Sequence, residues 1–304
     1  MIQHLLDGIL VGAVLSLGAA GLTMVMHMLR FANFSHAELL SIGAYSALVF
    51  DALFKGILPV LAAQIGLLSM TGTLALSMVF SMVTTGISAV IFDKLIFRRV
   101  REKGEELSMV FASFGLALII RNAISLIFGL QTKLYSQDIV FATVLSREPL
   151  VLVKPDQLAT LGITLAIILL LHFILSRTTF GYALRAVAEN QSLAQVNGIN
   201  LQRMIVVVWM LGGGLAALAG VFYGLNNQIT PVIGRDLVLP IFAATIVGGI
   251  GSIYGALLGG FVVGIAANLA VMVLPSGYSP SIPFLIIIAV LLIRPNGMFG
   301  MERT

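Results

Sequence analysis

The chain has no cysteine, and only 10% of its residues are charged. The absence of cysteine excludes disulfide bonds, cysteine-ligated zinc, iron–sulfur clusters and thiol catalysis. The scarcity of charge is more informative, because 59% of the 304 residues are hydrophobic. Such a chain has too little polar surface to cover a soluble globule of this size. Composition therefore predicts an all-α, polytopic helix bundle that uses the membrane as its solvent.

Enzyme signatures are also missing. The sequence contains no GxSxG or HExxH motif and no pair of acids at catalytic spacing on a loop. It also lacks the GxxxxGK[ST] phosphate-binding loop, so the chain cannot hydrolyse ATP by that route. We therefore expect no catalytic residue, no metal site and no cofactor in this chain.

The basic residues, which give a net charge of +4, lie in short loops between apolar runs. This distribution is typical of membrane proteins and does not favour a nucleic-acid partner. The densest basic cluster is in the predicted loop Asp93–Glu106, which should therefore be cytoplasmic. Counting two spans onward places the polar segment Arg177–Arg203 in the cytoplasm as well.

About eight apolar stretches are candidate membrane spans within one domain, residues 1–304. They are Gly8–Met28, Leu39–Phe54, Thr71–Phe97, Leu107–Gly129, Leu158–Leu175, Ile205–Leu225, Leu237–Val273 and Ile282–Ile293. The first lacks the features of a cleaved signal peptide, so we interpret it as an uncleaved helix. Gly56–Ser69 is too short to cross and is expected to be a half-helix or surface segment. Gln131–Asp156 is predicted to be an external loop.

Arg177–Arg203 is the most polar long stretch of the chain. Good helix formers predict a helix over Ala183–Val196, with Thr178 or Thr179 as its N-cap and Gly198 just beyond its end. Helical spacing places Arg185, Glu189 and Ser192 on one face and Leu184, Val187 and Ala188 on another. The segment is therefore predicted to lie in the membrane plane and to face an aqueous partner.

Two apolar stretches are interrupted. Leu237–Val273 has roughly 37 residues and would be about 55 Å long as one helix, against a hydrocarbon core of about 30 Å. We predict a break at Gly248–Ser252 that divides the stretch into a half-helix and a full helix. The two helices would form a re-entrant hairpin. Asn33–Glu38 interrupts the first half of the chain in a corresponding place. Broken helices in corresponding places are typical of substrate paths, although the two halves share no residue-level identity.

Four motifs resemble, in family order, those of permease subunits of ABC importers of the branched-chain amino acid (Liv) type. They are Asn33-Phe34-Ser35-His36, the strings GYALRAVAEN and GIN of the polar segment, Gly248–Gly260 (GGIGSIYGALLGG) and Arg294–Gly300 (RPNGMFG). The sequence departs from the family pattern at two positions. Ala37 stands where the family usually has glycine, and Tyr254 stands where it often has proline.

The resemblance implies an ABC importer permease fold with broken or re-entrant half-helices, in a prokaryotic plasma membrane. It also implies a second, related permease subunit, two ATPases that bind ATP and Mg²⁺, and an extracytoplasmic substrate-binding protein. The substrate would be a branched-chain or other amino acid, urea, a short amide or a small aromatic acid, moved by alternating access. The motifs do not choose among these substrates.

The same resemblance suggests site residues. The residues of the polar segment expected to couple to an ATPase are Gly181, Arg185, Ala186, Ala188, Glu189, Asn190, Gly198, Ile199 and Asn200. The residues expected near the translocation path are Asn33, Phe34, His36, Glu38, Gly248, Gly249, Gly251 and Ser252.

Other interpretations remain open for several of these residues. His27 and His36 could carry protons, but packing is favoured, and His172 is expected to be structural. Glu38 is expected in the aqueous interface more than in a cavity, and the glycines are expected to serve helix packing more than to line a pore. The alternative function, a stand-alone secondary transporter or channel, would need buried ion-coupling carboxylates or a charged selectivity ring.

Overall fold

The computed structural model describes residues 1–104, 106–136, 141–147, 150–294 and 296–299. Its helices are α1 (Ile2–Leu29), α2 (His36–Ile57), α3 (Gly72–Phe92), α4 (Arg98–Arg101), α5 (Glu106–Phe128), α6 (Pro155–Arg177), α7 (Thr179–Glu189), α8 (Gln191–Val196), α9 (Leu201–Asn226), α10 (Ile233–Gly248), α11 (Ile253–Ala270) and α12 (Ile282–Ile293). The strands are β1 (Thr143–Arg147) and β2 (Leu150–Val153). Short 3₁₀ turns cover Pro59–Ala62 and Ser276–Ser281.

The predicted all-α membrane bundle is confirmed. Within the described residues, seven helical segments are long and apolar enough to cross a bilayer. Two further helices are shorter, α10 with 16 residues and α12 with 12. Together they agree with the expectation of about eight spans accompanied by half-helices.

Helix α1 is at the centre of the bundle, where it packs against α9, α10 and α11. It is buried along most of its length, whereas α5 and α6 are largely exposed at the periphery. Glycines in α1, which have no side chain, allow α11 to approach closely. A Cβ on Gly12 would lie 2.7 Å from the Cα of Phe261. A Cβ on Gly8 would lie 2.6 Å from the Cα of Ile265. Small residues therefore set the distance between these two helices.

The basic segment predicted as a loop is mostly helical. A π-helical turn over Asp93–Phe97 joins α3 to α4, so one helical segment runs over Gly72–Arg101. Asp93 is buried and accepts a hydrogen bond from Arg101 Nη1 at 3.5 Å, while the ring of Phe97 stacks on Trp209 with 5.5 Å between centroids. These contacts hold the segment in a helix, and the expectation of a loop starting at Asp93 was wrong. The part of the molecule that carries α4, α7 and α8 is called the basic end below.

The predicted external loop Gln131–Asp156 contains a small antiparallel sheet, which the sequence analysis did not predict. In its register Thr143 pairs with Val153 and Arg147 with Leu150. The side chain of Gln3 joins the sheet to α1, because its amide donates to the Leu152 carbonyl at 3.0 Å and accepts from the Leu152 N–H at 2.9 Å. The sheet is held on the start of α1 by β2, whose Val151 and Val153 pack with Leu10.

The predicted break in Leu237–Val273 is confirmed, because α10 ends at Gly248 and α11 begins at Ile253. The two helices form an antiparallel hairpin in which Gly248 lies against Gly255, and Gly259 against Ala244. The turn uses positive φ angles at Gly249 (102°) and Gly251 (97°), which side chains rarely tolerate. The hairpin therefore depends on glycine both in its turn and between its arms.

Two other predicted segments can be placed. Gly56–Ser69 contains the end of α2 and the Pro59–Ala62 turn, so it is a surface segment. In the C-terminal motif Arg294–Gly300, Pro295 and Gly300 lie outside the described residues. The remainder of that motif packs on the tip of the hairpin: the N–H of Met298 donates to the carbonyl oxygen of Val247 at 2.8 Å.

Candidate functional site

The polar segment forms two short helices, α7 and α8, where one helix was predicted over Ala183–Val196. The helix is interrupted at Asn190, whose backbone is extended and whose Oδ1 accepts a hydrogen bond from the Leu193 N–H at 2.9 Å. Asn190 therefore caps α8, which explains why the two helices do not merge. Gly198, at a φ of 84°, lies just beyond the end of α8, as predicted.

Helix α7 is fastened to the last turns of α6. Thr178 caps α7, as predicted, because its Oγ1 accepts from the Gly181 N–H at 3.4 Å. Gly181 is packed so closely that a Cβ there would overlap the carbonyl oxygen of Leu175. The Nη1 of Arg185 donates to the same carbonyl at 2.8 Å, and its guanidinium lies 4.8 Å from the centre of the Tyr182 ring. Arg185 is exposed but is already engaged with α6.

The two faces of α7 agree with the helical spacing of the sequence. Leu184 and Val187 are buried, while Glu189 and Asn190 are exposed. Ala186 and Ala188 are half-buried between these faces. This arrangement leaves the end of α7 and the start of α8 as the accessible part of the segment.

The residues around α8 are mainly structural. The carbonyl of Ala188 accepts a hydrogen bond from Arg30 Nη2 at 3.2 Å, which joins α7 to the end of α1. Ile199 packs against the core, and Asn200 caps α9 because its Oδ1 accepts from the Arg203 N–H at 3.0 Å. These contacts connect the segment to α1, α6 and α9.

A cavity of about 730 Å³ lies at the basic end, between α1, α7 and the hairpin tip. Residues of three of the four motifs line it, together with residues just before the first motif. Its lining includes Arg30 just before the first motif, Gly181 and Arg185 of the polar segment, Ile250–Tyr254 of the hairpin, and Phe299 of the C-terminal motif. Sequence positions far apart in the chain are therefore brought to one place.

The first motif lies deeper in the bundle, between α5 and α10. Phe34 stacks on Phe242 of α10, with 4.8 Å between ring centroids, and meets Phe114 of α5 edge to face at 6.3 Å. Its N–H donates to the Ser113 Oγ at 3.1 Å. Thus Phe34 bridges two helices that flank the start of α2.

Asn33 and His36 are completely buried. The Oδ1 of Asn33 accepts a hydrogen bond from the Ser35 Oγ at 2.7 Å, whereas its Nδ2 has no protein partner among the described residues. The ring of His36 packs against Gly21, and its nitrogens likewise lack described protein partners. No carboxylate pairs with His36 in this part of the chain, which agrees with a packing role more than with a proton relay.

Glu38 does not lie in the aqueous interface, as was expected. Its side chain is 1% exposed and forms an ion pair with Arg121 of α5, whose Nε lies 3.0 Å from Oε1. Its other oxygen, Oε2, accepts from the Ser41 Oγ at 3.4 Å. The expectation failed because α2 begins inside the bundle, where the carboxylate needs a charged partner. Arg121 was missed, although an arginine inside an apolar span is a signal for such a partner.

A second charged pair, also missed, lies at the start of α10 next to Glu38. The N–H of Gly234 donates to the Ser41 Oγ at 2.9 Å, so the first turn of α10 rests on the Glu38 region. The next two residues are Arg235 and Asp236, with 3.1 Å between Nε and Oδ1 and side chains that are 59% and 46% exposed. The sequence offered one signal for this pair, because Arg235 and Asp236 stand immediately before the apolar stretch that begins at Leu237.

The two predicted path segments lie at different depths of the bundle, although Phe31 and Ala32, just before the first motif, line the same cavity as Gly251 and Ser252. Gly234, beside Glu38, and Gly248 are separated along α10 by about 21 Å of helix. Gly248 packs on Gly255, and Ser252 caps α11 through a hydrogen bond from the Gly255 N–H at 3.0 Å. Gly251 packs against the ring of His27 at the basic end. Gly248, Gly249, Gly251 and Ser252 therefore form the tip of the hairpin, at the opposite end of α10 from Glu38.

His172 and Tyr254 form an exposed pair between α6 and the start of α11. The Nδ1 of His172 lies 3.0 Å from the hydroxyl oxygen of Tyr254, within hydrogen-bond distance. This is the position where the family pattern often has proline. In this chain the residue thus makes a contact that proline could not make.

In the described part of the chain, no group of three or more histidine, cysteine or acidic side chains is placed to hold a metal ion.

Comparison with known proteins gives matches over almost the whole chain. The model of a family described as "Branched-chain amino acid transport system / permease component" matches residues 4–293. The high-affinity branched-chain amino acid transport system permease protein BraD of Pseudomonas aeruginosa is 30% identical, over 98% of this chain and 95% of that protein. LivH of Escherichia coli K12 has the same identity and coverage. A probable LivH of Methanocaldococcus jannaschii is 30% identical, over 99% of this chain and 93% of its own length. No solved structure matches the chain significantly.

Proposed function

The chain belongs to the family of branched-chain amino acid transport permeases, and from this premise we propose that it forms half of the membrane path of an ABC importer. The substrate class is branched-chain amino acids or a related small amino acid, amide or organic acid. Alternating access, driven by a separate ATPase, moves the substrate across a prokaryotic inner membrane. The match over nearly the full length of both proteins is the observation that supports this proposal.

The proposed complex contains this chain, a second permease subunit, two ATPases and a substrate-binding protein. The sequence carries no phosphate-binding loop, so two ATPase subunits would supply the energy by binding ATP and Mg²⁺. A second permease subunit, either a copy of this chain or a relative, would complete the path. A substrate-binding protein outside the membrane would deliver the substrate.

Helix α7 is proposed as the contact through which ATPase motion reaches the membrane. Leu175 and Arg185 join it to α6, and Arg30 joins it to α1. A helix held at both faces moves with its neighbours, so a displacement of α7 would move these spans as a rigid body. The exposed Glu189 and Asn190 would contact the ATPase.

The path itself is proposed to run along the open side between α5 and α10. Helix α5 is largely exposed and packs mainly on α2 and α4, and its inner side faces the Phe34 and Glu38 region. A second permease subunit would close this side. Most residues along it are apolar, which fits a permease that leaves much of the selection to a soluble receptor.

A stand-alone secondary transporter is the weaker candidate. Such a protein needs buried carboxylates that can bind a coupling ion or proton. Four acidic side chains are buried in the described part of the chain, and each has a partner: Glu38 with Arg121, Asp51 with Lys55, Asp93 with Arg101, and Asp156 with Ser69. These acids are thus engaged in structural contacts.

The proposal can be tested by capture of an ATPase. The chain, together with its partner permease, is purified in nanodiscs and mixed with ATPase subunits of the same organism. We expect the wild type to retain an ATPase and Glu189→Arg to lose it. Glu102→Arg, which makes the same charge change at an exposed position just after α4 at the basic end, should retain it. If the intact wild type captures no ATPase, the importer proposal fails.

A further inference from the structure

Two pairs of charged side chains lie close together between α2, α5 and α10. Glu38 and Arg121 form the buried pair, and Arg235 and Asp236 form the exposed pair beside it. Gly234 connects the two pairs: its backbone packs on the Glu38 carboxylate, and the next residue in the chain is Arg235. Asp236 is close enough to act electrostatically on Glu38.

This cluster lies within the membrane-crossing part of the bundle. Arg235 is about 20 Å along α10 from the hairpin tip at Gly248, compared with a hydrocarbon core of about 30 Å. Arg121 lies about 10 Å before the end of α5. The cluster therefore lies along the length of the bundle, nearer to the end opposite the basic end. A substrate arriving from that side would meet it early.

The exposed pair cannot face lipid without a large cost, because charges in hydrocarbon are expensive. Arg235 and Asp236 have side chains that are 59% and 46% exposed. They must therefore face water or another protein. The open side of the bundle, between α5 and α10, is where the path and the second permease subunit are proposed. The same argument does not apply to Glu38, whose charge is compensated by Arg121.

The two pairs have different geometry. Arg121 directs both Nε and Nη2 at a single oxygen of Glu38, so this pair holds α5 against the start of α2. Arg235 and Asp236 are sequence neighbours that make one contact, Nε to Oδ1, at 3.1 Å. An exposed contact of this kind is weak and can be replaced by another partner of the right charge. The first pair suits a positioning role and the second a ligand-binding role.

An aromatic layer lies two helical turns from the charges, toward the basic end. Phe114 precedes Arg121 by seven residues on α5, and Phe242 follows Arg235 by seven residues on α10, so each aromatic ring shares a helix face with a charge. Phe34 closes the layer between them. The separation along each helix is about 10 Å. A small molecule with a charged head and an apolar tail would meet both layers as it moves inward.

We propose that Arg235 and Asp236 bind the carboxylate and the ammonium group of a zwitterionic amino acid in the path, and that the Phe34 layer contacts its apolar side chain as the molecule moves further inward. When a zwitterion binds, its carboxylate pairs with Arg235 and its ammonium group pairs with Asp236. These two contacts replace the Arg235–Asp236 contact, so no charge is left unpaired. An organic acid supplies only the carboxylate for Arg235, and a neutral amide supplies neither charge. The inference rests on the proposed function and narrows its substrate class to zwitterions.

The test uses the complete importer in proteoliposomes, with its receptor and ATPases, and radiolabelled leucine as the probe. The variants are Arg235→Gln and Asp236→Asn. Each removes one charge without adding bulk, and each is expected to raise the leucine concentration for half-maximal uptake at least tenfold, about 1.4 kcal/mol. The matched control is Arg98→Gln with Glu102→Gln, an exposed ion pair of similar length (3.2 Å) at the basic end. It should leave the half-maximal concentration unchanged.

A second measurement separates recognition from folding. Leucinamide, which lacks the carboxylate, and 4-methylpentanoate, which lacks the ammonium group, compete with leucine for the purified permease pair in nanodiscs without the receptor. We expect leucine to bind the wild type more strongly than either analogue, and the Arg235→Gln variant to lose its preference for leucine over leucinamide while eluting as an intact complex.

The outcomes are distinguishable. If the wild-type complex shows no receptor-dependent uptake of any candidate substrate, the proposed function fails. If the wild type transports leucine but both single variants transport it with unchanged half-maximal concentrations, the importer proposal stands and the zwitterion site is overturned. A wild type that binds leucinamide as well as leucine also overturns it.

Discussion

The Nη1 of Arg185 donates a hydrogen bond to the carbonyl oxygen of Leu175 at 2.8 Å, and this contact fastens α7 to the end of α6. The backbone of Gly181 packs on the same carbonyl. One carbonyl group near the end of a span is thus the point where the polar segment is attached. This attachment explains why glycine stands at position 181 and arginine at position 185, and the explanation does not require a partner protein.

Gly181→Ala tests the attachment. The added Cβ would overlap the Leu175 carbonyl oxygen, so α7 must shift, and overpacking of this kind costs about 1–3 kcal/mol. We expect lower thermal stability in detergent and faster proteolysis at the polar segment. Gly162→Ala in α6 is the matched control, since a Cβ there meets nothing within 4 Å. Equal melting temperatures for the two variants would show that α7 is not held as described.

Gly259→Ala tests whether the hairpin glycines serve packing. Its Cβ would overlap the carbonyl oxygen of Ala244 on the facing arm, so we expect destabilisation by about 1–3 kcal/mol, measured by unfolding in mixed detergent micelles. Gly115→Ala, which introduces a Cβ into open space on α5, should be neutral or stabilising by about 0.5–1 kcal/mol. A Gly259→Ala protein of normal stability that has lost transport would instead indicate a pore-lining role.

Arg121→Gln tests the buried ion pair. It leaves the Glu38 carboxylate buried without its cation, which costs about 3–5 kcal/mol. Adding Glu38→Gln removes the stranded charge, so the double variant should be more stable than Arg121→Gln alone. The same unfolding assay, applied to the wild type, Arg121→Gln, Glu38→Gln and the double variant, completes a double-mutant cycle. Additive losses in the cycle would contradict a direct interaction.

Tyr135→Phe tests a buried hydrogen bond outside the spans. The Tyr135 hydroxyl donates to the Ala44 carbonyl at 2.8 Å, and its loss should cost about 1 kcal/mol at neutral pH. Burial is the main reason that the pKa of Tyr135 lies well above its ordinary value of 10.0. The phenol therefore stays neutral in the folded protein while it ionises in the unfolded chain.

This difference sets the direction of the pH dependence. The contribution of Tyr135 is fully present below pH 10 and is lost as the pH rises above it, because only the unfolded state releases the proton. The free energy of unfolding of the wild type should thus fall more than that of Tyr135→Phe between pH 9 and pH 11, when both are measured by the same unfolding assay. If the free energies of unfolding of the two proteins change equally with pH across this range, the Tyr135 hydroxyl is in contact with water.

Sequence patterns alone determined the class of this protein. Long apolar runs need lipid, and a run of about 55 Å cannot cross a 30 Å core unbroken, so the bundle and the break at Gly248–Ser252 were predictable. The cap at Thr178 and the glycine after α8 were also predictable, because capping is a local property of a few neighbouring residues.

Contacts between distant residues were decided by the tertiary structure. Nothing near Glu38 in the sequence indicates Arg121, and the π-helical turn at Asp93 depends on packing against Trp209 of another helix. The position of Gly234 and the Arg235–Asp236 pair beside Glu38 likewise requires α10 to begin beside α2. The physical reason is that hydropathy and helix propensity act along the chain, whereas the pairing of buried charges is fixed only when the helices are packed together.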